Sequence, residues 1–294
     1  MEPWLTFDPQ EMRRDFNSRA FSFTHTLHES PLFSLRRLAE LGDFLYAKGG
    51  QRDVYNAAAG RNFADAFTTN GARALSPGEA IANIETSQSW MSLKRIEQDP
   101  EFKDLVDSII DQLGQAVPEF ARPRIRQAEG FIFVTSPGGI TPYHLDPQWA
   151  FQAQIRGKKI YRIYDVRDPA VISDQEIEDL YAGNVMAAKY DPKKDAHMIP
   201  FELRPGLAAN QPMHAPHSAQ VPDEVSISLS VAIVSDAWAD QQRIRHVNRH
   251  LRKFGLNPAP IGAHGLADTL KVLTYRAANA PAYVARNLAA RAGR

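Results

Sequence analysis

Apolar residues in the first part of the chain recur at helical spacing. One stripe, with members three or four residues apart, predicts an amphipathic helix and consists of Leu35, Leu38, Leu41 and Leu45. A second stripe runs from Phe102 to Leu113 after an Asp-Pro-Glu start, and Ser76-Pro-Gly-Glu79 is typical of a helix N-terminus. We therefore expect residues 1–125 to form a helical N-terminal cover that belongs to the same domain as the rest.

From Gly130 onwards the pattern becomes that of β-strands. Short segments rich in β-branched and aromatic residues, several with alternating apolar and polar positions, are separated by Gly-containing turns. These segments are 131–135, 150–155, 159–164 and 225–234. Short antiparallel strands after a helical lead predict a mainly β fold, a double-stranded β-helix (jelly roll or cupin) over residues 126–238. The insertion 169–200, helical at Asp174–Tyr181, is long enough to form a lid.

The C-terminal segment, residues 239–294, is predicted to be helical and basic. Its two helices are expected at Ala239–Phe254 and Leu266–Ala278, the second ending before Pro281. From Gln242 to the end the chain carries ten Lys/Arg and one acidic residue. A solvated face and a homodimer contact are the favoured interpretation. A nucleic-acid arm is less favoured because few aromatic residues accompany the basic ones.

Composition restricts the chemistry further. Lys+Arg and Asp+Glu balance at 34 each, so no net charge favours nucleic acid or an acidic membrane as a partner. The chain has no cysteine, which excludes thiolate metal sites and leaves His and carboxylates as ligands. Neither a signal peptide nor an apolar run of membrane-spanning length is visible, and we expect a cytoplasmic location.

One histidine and one aspartate have a spacing that suits a metal site. His144 and Asp146 stand two residues apart, and residues two apart in a strand face the same side of a sheet. A third ligand has to come from elsewhere, and His217 lies 73 residues further on. Two His and one carboxylate leave three positions open on an octahedral ion, as non-haem Fe(II) requires. The His-x-Asp pair alone is a weak signal.

Two polar residues near this pair strengthen the interpretation. Thr141 precedes His144 by three residues and can donate a hydroxyl hydrogen bond. Lys159 follows His144 by fifteen residues on a predicted strand, where it can pair with the distal carboxylate of a dicarboxylic acid. A solvent-facing lysine is the alternative, for which the neighbouring Lys158 is the better candidate because the two residues face opposite sides of the strand.

Two segments of the chain resemble the Jumonji-C, cupin-like 2-oxoglutarate oxygenases, most closely the branch that includes asparaginyl hydroxylases of protein substrates. The first is Thr141-Pro-Tyr-His144-Leu-Asp146-Pro-Gln-Trp-Ala-Phe-Gln-Ala-Gln154-Ile-Arg-Gly157-Lys-Lys159. The second contains Pro205-Gly206, Pro212 and Pro216-His217. The register of the second segment favours His217 over His214 as the distal ligand. The resemblance covers about residues 125–235.

The resemblance implies a hydroxylase, or a demethylase, in which His144, Asp146 and His217 hold Fe(II), and 2-oxoglutarate and O₂ are co-substrates. Thr141 and Lys159 would hold the C5 carboxylate of 2-oxoglutarate, which is converted to succinate. The sequence departs from the family at Ala150, where some relatives have an Asn that contacts the co-substrate. Either of two serines on the following strand can supply polar contacts instead, and of Ser228 and Ser230 we assign Ser230.

The substrate implied by the resemblance is a protein, a peptide or a small molecule. The alternative to an enzyme is a non-catalytic, cupin-like binding or regulatory protein that contacts DNA or a partner through its basic C-terminal segment. Such a protein would produce no succinate. A cupin-type sugar-phosphate isomerase is less favoured, because it needs a richer set of metal ligands close to His144 than the sequence offers.

Overall fold

Most of the helices lie in the N-terminal and C-terminal parts of the chain, before and after the main run of strands. The structure is a computed structural model that describes residues 3–59, 62–65, 75–184 and 186–292. The α-helices in these ranges are α1 (Pro9–Asp15), α2 (Leu35–Gly49), α3 (Pro77–Ala82), α4 (Pro100–Ala116), α5 (Asp174–Tyr181), α6 (Asp236–Lys253) and α7 (Gly265–Ala292). Short 3₁₀ turns occupy Leu27–Glu29, Pro31–Phe33, Gly50–Arg52, Ile96–Gln98, Pro118–Phe120, Arg122–Arg124 and Pro192–His197.

The strands form two antiparallel sheets. They are β1 (Leu5–Thr6), β2 (Ser22–His25), β3 (Val54–Ala58), β4 (Ser89–Lys94), β5 (Ile125–Thr135), β6 (Ile140–His144), β7 (Trp149–Arg156), β8 (Lys159–Tyr164), β9 (Met198–Leu203), β10 (Leu207–Gln211), β11 (His217–Gln220) and β12 (Ser226–Ser235). The larger sheet has the order β1-β2-β10-β7-β12-β5-β4-β3, and the smaller has the order β6-β11-β8-β9. This arrangement confirms the predicted jelly roll with flanking helices.

The larger sheet separates the apolar core from a more polar interior, as β12 illustrates. Four of its apolar side chains belong to the main core: Ile227, Leu229, Val231 and Ile233. That core also contains the apolar stripes of α2 and α4, so this face of the sheet packs against the helices. The intervening residues from Ser226 to Ala232 are small or polar, and Ser230 and Ala232 line a cavity between the two sheets, whereas Val234 near the end of the strand belongs to the core again. Because side chains alternate along a strand, successive residues of β12 face the core and the cavity in turn.

The N-terminal helices lie where the sequence predicts them, but residues 1–125 are not only helical. Ser34, Ser76 and Asp99 cap α2, α3 and α4 by accepting backbone hydrogen bonds. The same part of the chain also contributes β1 and β2 near one edge of the larger sheet, and β3 and β4 at the other. Their short length, two to six residues, makes such outer strands hard to recognise from a pattern.

The C-terminal helices differ from the prediction mainly in length. α6 begins three residues earlier than expected, and α7 continues past Pro281 to Ala292 instead of ending at Ala278. A proline inside a helix costs about 3 kcal/mol, but alanine, the strongest helix former, occupies many of the surrounding positions. Within the described residues, no helix combines the length and the apolar character needed to cross a membrane.

Arginines of α6 bind acidic residues of the insertion helix α5. Arg245 pairs with Asp174 at 2.9 Å and Arg249 pairs with Asp179 at 2.8 Å. A third pair, Arg252–Glu178 at 3.0 Å, includes a carboxylate that is 1% exposed. Part of the basic character of the C-terminal segment thus serves to hold the insertion against the rest of the protein.

Candidate metal and co-substrate site

Three potential metal ligands meet at one end of the smaller sheet. His144 ends β6 and His217 begins β11, and these strands pair so that the two residues are direct neighbours across the ladder. Asp146 lies two residues beyond β6, with its carboxylate oxygens 3.9 Å from His144 Nε2 and 3.5 Å from His217 Nε2. One ligand atom from each of the three lies within 4.8 Å of the others. A single cation can therefore bind all three.

Both imidazoles present the same nitrogen to this point. Nδ1 of His144 lies 2.8 Å from the carbonyl oxygen of Pro142, and Nδ1 of His217 lies 3.0 Å from that of Ala215. Because a carbonyl only accepts, Nδ1 carries the hydrogen and Nε2 keeps a lone pair for a metal. Burial, with a smaller contribution from His144, lowers the pKa of His217 to about 4. The ring is therefore neutral at pH 7, as metal binding requires.

The carboxylate of Asp146 is ionised and held in place. Burial acts to raise its pKa, but the positive charge that His144 and His217 carry when protonated at low pH, together with a hydrogen bond from Gln211, outweighs burial and leaves the pKa of Asp146 lowered. Gln211 Nε2 donates to Asp146 Oδ2 at 3.4 Å, and Tyr161 donates its hydroxyl hydrogen to Gln211 Oε1. Burial raises the pKa of Tyr161, so this donor stays protonated. A chain of buried side chains thus orients the anionic ligand.

His214, the competing histidine, lies outside this group of three. The hydroxyl of Tyr181 is hydrogen-bonded to its Nε2 at 2.5 Å, and this contact occupies the nitrogen that a metal would use. Its backbone N–H donates to the carbonyl oxygen of Asp146 at 3.1 Å. His214 therefore connects α5, through Tyr181, to the loop that carries Asp146.

A cavity of about 400 Å³ extends from the three ligands between the two sheets. Its wall contains, besides the ligands, Tyr55, Trp90, Ser92, Lys94, Phe131, Phe133, Thr141, Leu145, Pro147, Gln148, Ala150, Gln152, Lys159, Tyr161, Leu180, Gln211, Ala219, Ser230 and Ala232. All three residues that the sequence analysis assigned to co-substrate binding, Thr141, Lys159 and Ser230, belong to this wall. The volume is within the range of small-molecule sites in proteins.

Lys159 is a buried cation in the cavity wall. It is 4% exposed, donates from Nζ to Ser228 Oγ, and lies with Nζ 5.6 Å from the centre of the Phe133 ring. Among the described residues, none brings a carboxylate within ion-pair distance of it. Burial lowers the pKa of Lys159 to about 7. Because a buried charge is unfavourable without a partner, this site fits an anionic group supplied by a ligand.

The hydroxyl residues take different positions around Lys159. Thr141 Oγ1 accepts a hydrogen bond from Trp90 Nε1 at 2.9 Å, so its own hydrogen can be directed to an acceptor in the cavity. Ser228 is fully buried and binds Lys159, whereas Ser230 faces the cavity. The two serines that the sequence left as alternatives thus support the site in different ways.

Sequence reasoning did not identify three cavity residues, Gln152, Tyr161 as a hydroxyl donor, and Gln211. Gln152 alternates with Phe151 and Ala153 on β7, which belong to the apolar core. A polar residue at the opposite parity of an otherwise apolar strand is the pattern that could have indicated an interior-facing amide. Gln211 offers no such pattern, because its contact with Asp146 joins residues 65 positions apart.

Comparison with known proteins finds solved structures with a similar fold but no protein that matches by sequence. Neither a scan against protein-family models nor a search of curated proteins finds a match. An X-ray structure of Escherichia coli YcfD is similar, with a TM-score of 0.52 and 16% identity over 94% of this chain and 68% of that chain. A second, described as the ribosomal oxygenase YcfD, has a TM-score of 0.51 and 16% identity over 94% and 67% of the two chains.

A third structure is that of YcfD in complex with cobalt and 2-oxoglutarate. It has a TM-score of 0.50 and 17% identity, covering 93% of this chain and 67% of that chain. At these identities the likeness concerns the fold. It confirms the jelly roll with helical flanks that the resemblance to Jumonji-C, cupin-like oxygenases led us to expect.

Proposed function

We propose that the protein is an Fe(II)- and 2-oxoglutarate-dependent oxygenase. One observation carries the proposal: the cluster of His144, Asp146 and His217 opens onto a cavity that also contains the buried, carboxylate-free Lys159. The cluster offers one negative and two neutral ligands and leaves coordination positions for a chelating oxo-acid and for O₂. Lys159 offers a positive charge for the far end of a dicarboxylic acid.

The donor set fits Fe(II) and argues against structural zinc, Ca²⁺ and Mg²⁺. Structural zinc sites are closed by four ligands and are often rich in thiolate, and this chain has no cysteine. Ca²⁺ and Mg²⁺ prefer oxygen ligands, whereas two imidazoles contribute here. Two His and one carboxylate on one face are typical of non-haem Fe(II) oxygenases.

In this proposal each residue of the wall has a task. Lys159 and Thr141 bind the C5 carboxylate, and Ser230 adds a polar contact along the co-substrate. Trp90 and Phe133 cover the site with apolar surface, which excludes water and strengthens the electrostatic interactions inside. When Fe(II), 2-oxoglutarate and O₂ are bound, such a site oxidises a substrate C–H to C–OH and forms succinate and CO₂. Oxidation of a carbon attached to nitrogen leads to demethylation.

The substrate that we favour is a protein or peptide side chain, with a small molecule as the alternative. The description of YcfD as a ribosomal oxygenase supports the first of these. A cytoplasmic location and a homodimer formed through residues 239–294 stay predictions. Sedimentation of the full chain and of a chain that lacks residues 239–294 tests the homodimer. The full chain is expected to sediment as a dimer and the shortened chain as a monomer.

Anaerobic titration with Fe(II), with and without 2-oxoglutarate, tests the proposed function. We expect a weak visible charge-transfer band that needs both components and is absent from the His144→Ala variant. Succinate formation in air above the metal-free control completes the test. A wild-type protein with no band and no succinate would favour the non-catalytic, cupin-like binding protein instead.

A further inference from the structure

We infer that Gln152 binds the metal-chelating carboxylate of 2-oxoglutarate. This inference rests on the proposed function and assigns a role to a residue that the metal cluster and Lys159 leave unused. Gln152 lies on β7, lines the cavity and is 6% exposed. Its Nε2 has no hydrogen-bond partner among the described residues. A buried amide donor without a partner is unusual and indicates that a ligand supplies the acceptor.

The pairing of strands shows where along β7 the distal carboxylate binds. We call each such position along the strand, marked by a residue of β7 and its paired neighbours, a level of the cavity. On the interior face of the larger sheet, Ser228 of β12 is the direct neighbour of Gln154 of β7. Ser228 accepts the hydrogen bond from Lys159 Nζ. Lys159, which faces the C5 carboxylate, therefore lies at the level of Gln154 along β7.

The metal lies at a different level of the same wall. Ala150 of β7 is the direct neighbour of Gln211 of β10, and Gln211 donates to Asp146. Ala150 precedes Gln154 by four residues, which corresponds to about 13 Å along a strand. A co-substrate that joins the metal to Lys159 has to extend between these two levels.

Gln152 lies midway between them. Its direct neighbour on β12 is Ser230, and both line the cavity. At the metal level, β7 and β12 present only methyl groups, from Ala150 and its neighbour Ala232, and the amide of Gln211 on β10 already donates to Asp146. The distal carboxylate already has Lys159 as its donor. The amide of Gln152 is thus a buried donor without a protein partner among the described residues, two residues along β7 from the metal level, and it is available to the carboxylate at the metal.

The chemistry of the two partners is complementary. One oxygen of a chelating carboxylate binds the metal, and the other keeps lone pairs that need a donor. An N–H···O bond to an ionised acceptor in a dry cavity is stronger than one between neutral groups. The two alanines leave space for the longer glutamine side chain to approach from the next level. Gln152 is in this view a positioning residue for the co-substrate, with no part in binding the metal itself.

Anaerobic titration with two ligands tests the inference. The Fe(II)-loaded protein is titrated with 2-oxoglutarate and with 2-oxopentanoate, which has the same chelating end but no distal carboxylate. We expect Gln152→Ala to weaken both ligands by about tenfold or more, as loss of a hydrogen bond to a charged group does. Lys159→Met should weaken 2-oxoglutarate only. Fe(II) affinity without co-substrate should be unchanged in the Gln152 variant.

Further variants protect the test from trivial explanations. Gln152→Leu keeps the volume of the side chain, and a thermal melt shows whether each variant is folded. Gln152→Glu should weaken both ligands more than Gln152→Ala, because two negative charges would meet. Gln127→Ala, at an exposed glutamine on β5, is the matched control and should bind as wild type does.

The outcomes separate this inference from the proposed function. Wild-type affinity for both ligands in all Gln152 variants overturns the inference alone. Weakened 2-oxoglutarate with unchanged 2-oxopentanoate also overturns it, because Gln152 would then serve the distal carboxylate. A wild-type protein that binds neither ligand in the presence of Fe(II) overturns the proposed function, and the inference with it.

Discussion

Replacing Lys159 by methionine should stabilise the protein and at the same time weaken its binding of 2-oxoglutarate. The ammonium group is buried without a carboxylate partner among the described residues, and methionine fills a similar volume without charge. Lowering the pKa of Lys159 from its ordinary value of 10.5 to about 7 corresponds to about 5 kcal/mol of free energy. That free energy opposes folding, and a residue retained at such a cost suggests that its charge is needed for a ligand.

The direction in which the stability of the wild-type protein changes with pH tests this explanation. Between pH 7 and pH 10.5 the unfolded lysine is protonated and the buried one is not, so the unfolded state binds more protons. Wild-type stability should therefore rise with pH in this window, by up to about 1.4 kcal/mol per pH unit. The affinity for 2-oxoglutarate should fall over the same window, because the neutral amine no longer attracts a carboxylate.

Two assays on the same variant test this reasoning. Urea unfolding of the ligand-free protein at pH 7 and pH 9 gives the free energies of unfolding, and anaerobic titration gives the 2-oxoglutarate affinity. We expect Lys159→Met to gain about 2–4 kcal/mol at pH 7, less at pH 9, and to lose most of its 2-oxoglutarate binding at both. A variant less stable than wild type at pH 7, or a wild-type affinity that does not change with pH, refutes the reasoning.

Three further substitutions test other parts of the structure. Asp146→Ala should reduce Fe(II) affinity at least tenfold while His214→Ala retains it, as measured by anaerobic metal titration; loss of iron from the second variant contradicts the ligand assignment. Gly157→Ala should destabilise the protein by about 2–4 kcal/mol in urea unfolding, because this residue has φ +67° and its missing Cβ would meet a backbone carbonyl. Arg252→Met should cost about 2 kcal/mol by leaving the buried carboxylate of Glu178 unpaired, and adding Glu178→Gln should recover much of the loss; an unchanged melting temperature in the single variant would show that the pair contributes nothing.

Regular periodicity made much of the fold predictable. The apolar stripe of α4 and the cap at Asp99 are local features, and the helix lies where they indicate. The strand Lys159–Tyr164 has the predicted bounds for the same reason. The outer strands β1 to β4 escaped prediction because such short strands exist through hydrogen bonds to neighbours that are distant in sequence.

The candidate site was predictable only as far as local spacing and resemblance reach. His144 and Asp146 were expected together from the period of a strand, yet Asp146 lies beyond β6, and the loop and Gln211 hold its carboxylate. The meeting of His217 with His144 depends on strand register across 73 residues. Ser228 and Ser230 face the same side of β12, and their different roles follow from which of the two Lys159 Nζ reaches, which three-dimensional contacts alone reveal.

The alternation along β12 has a consequence for how this protein can change during evolution. Val231 faces the apolar core, while Ser230 and Ala232 face the cavity. Residues that are adjacent in sequence therefore contribute separately to packing and to ligand binding. Substitutions at the cavity positions can alter ligand preference with little effect on folding, and those at the core positions are constrained by packing. One strand can thus be diversified at every second residue, and a library restricted to those residues should contain mostly folded proteins with new specificities.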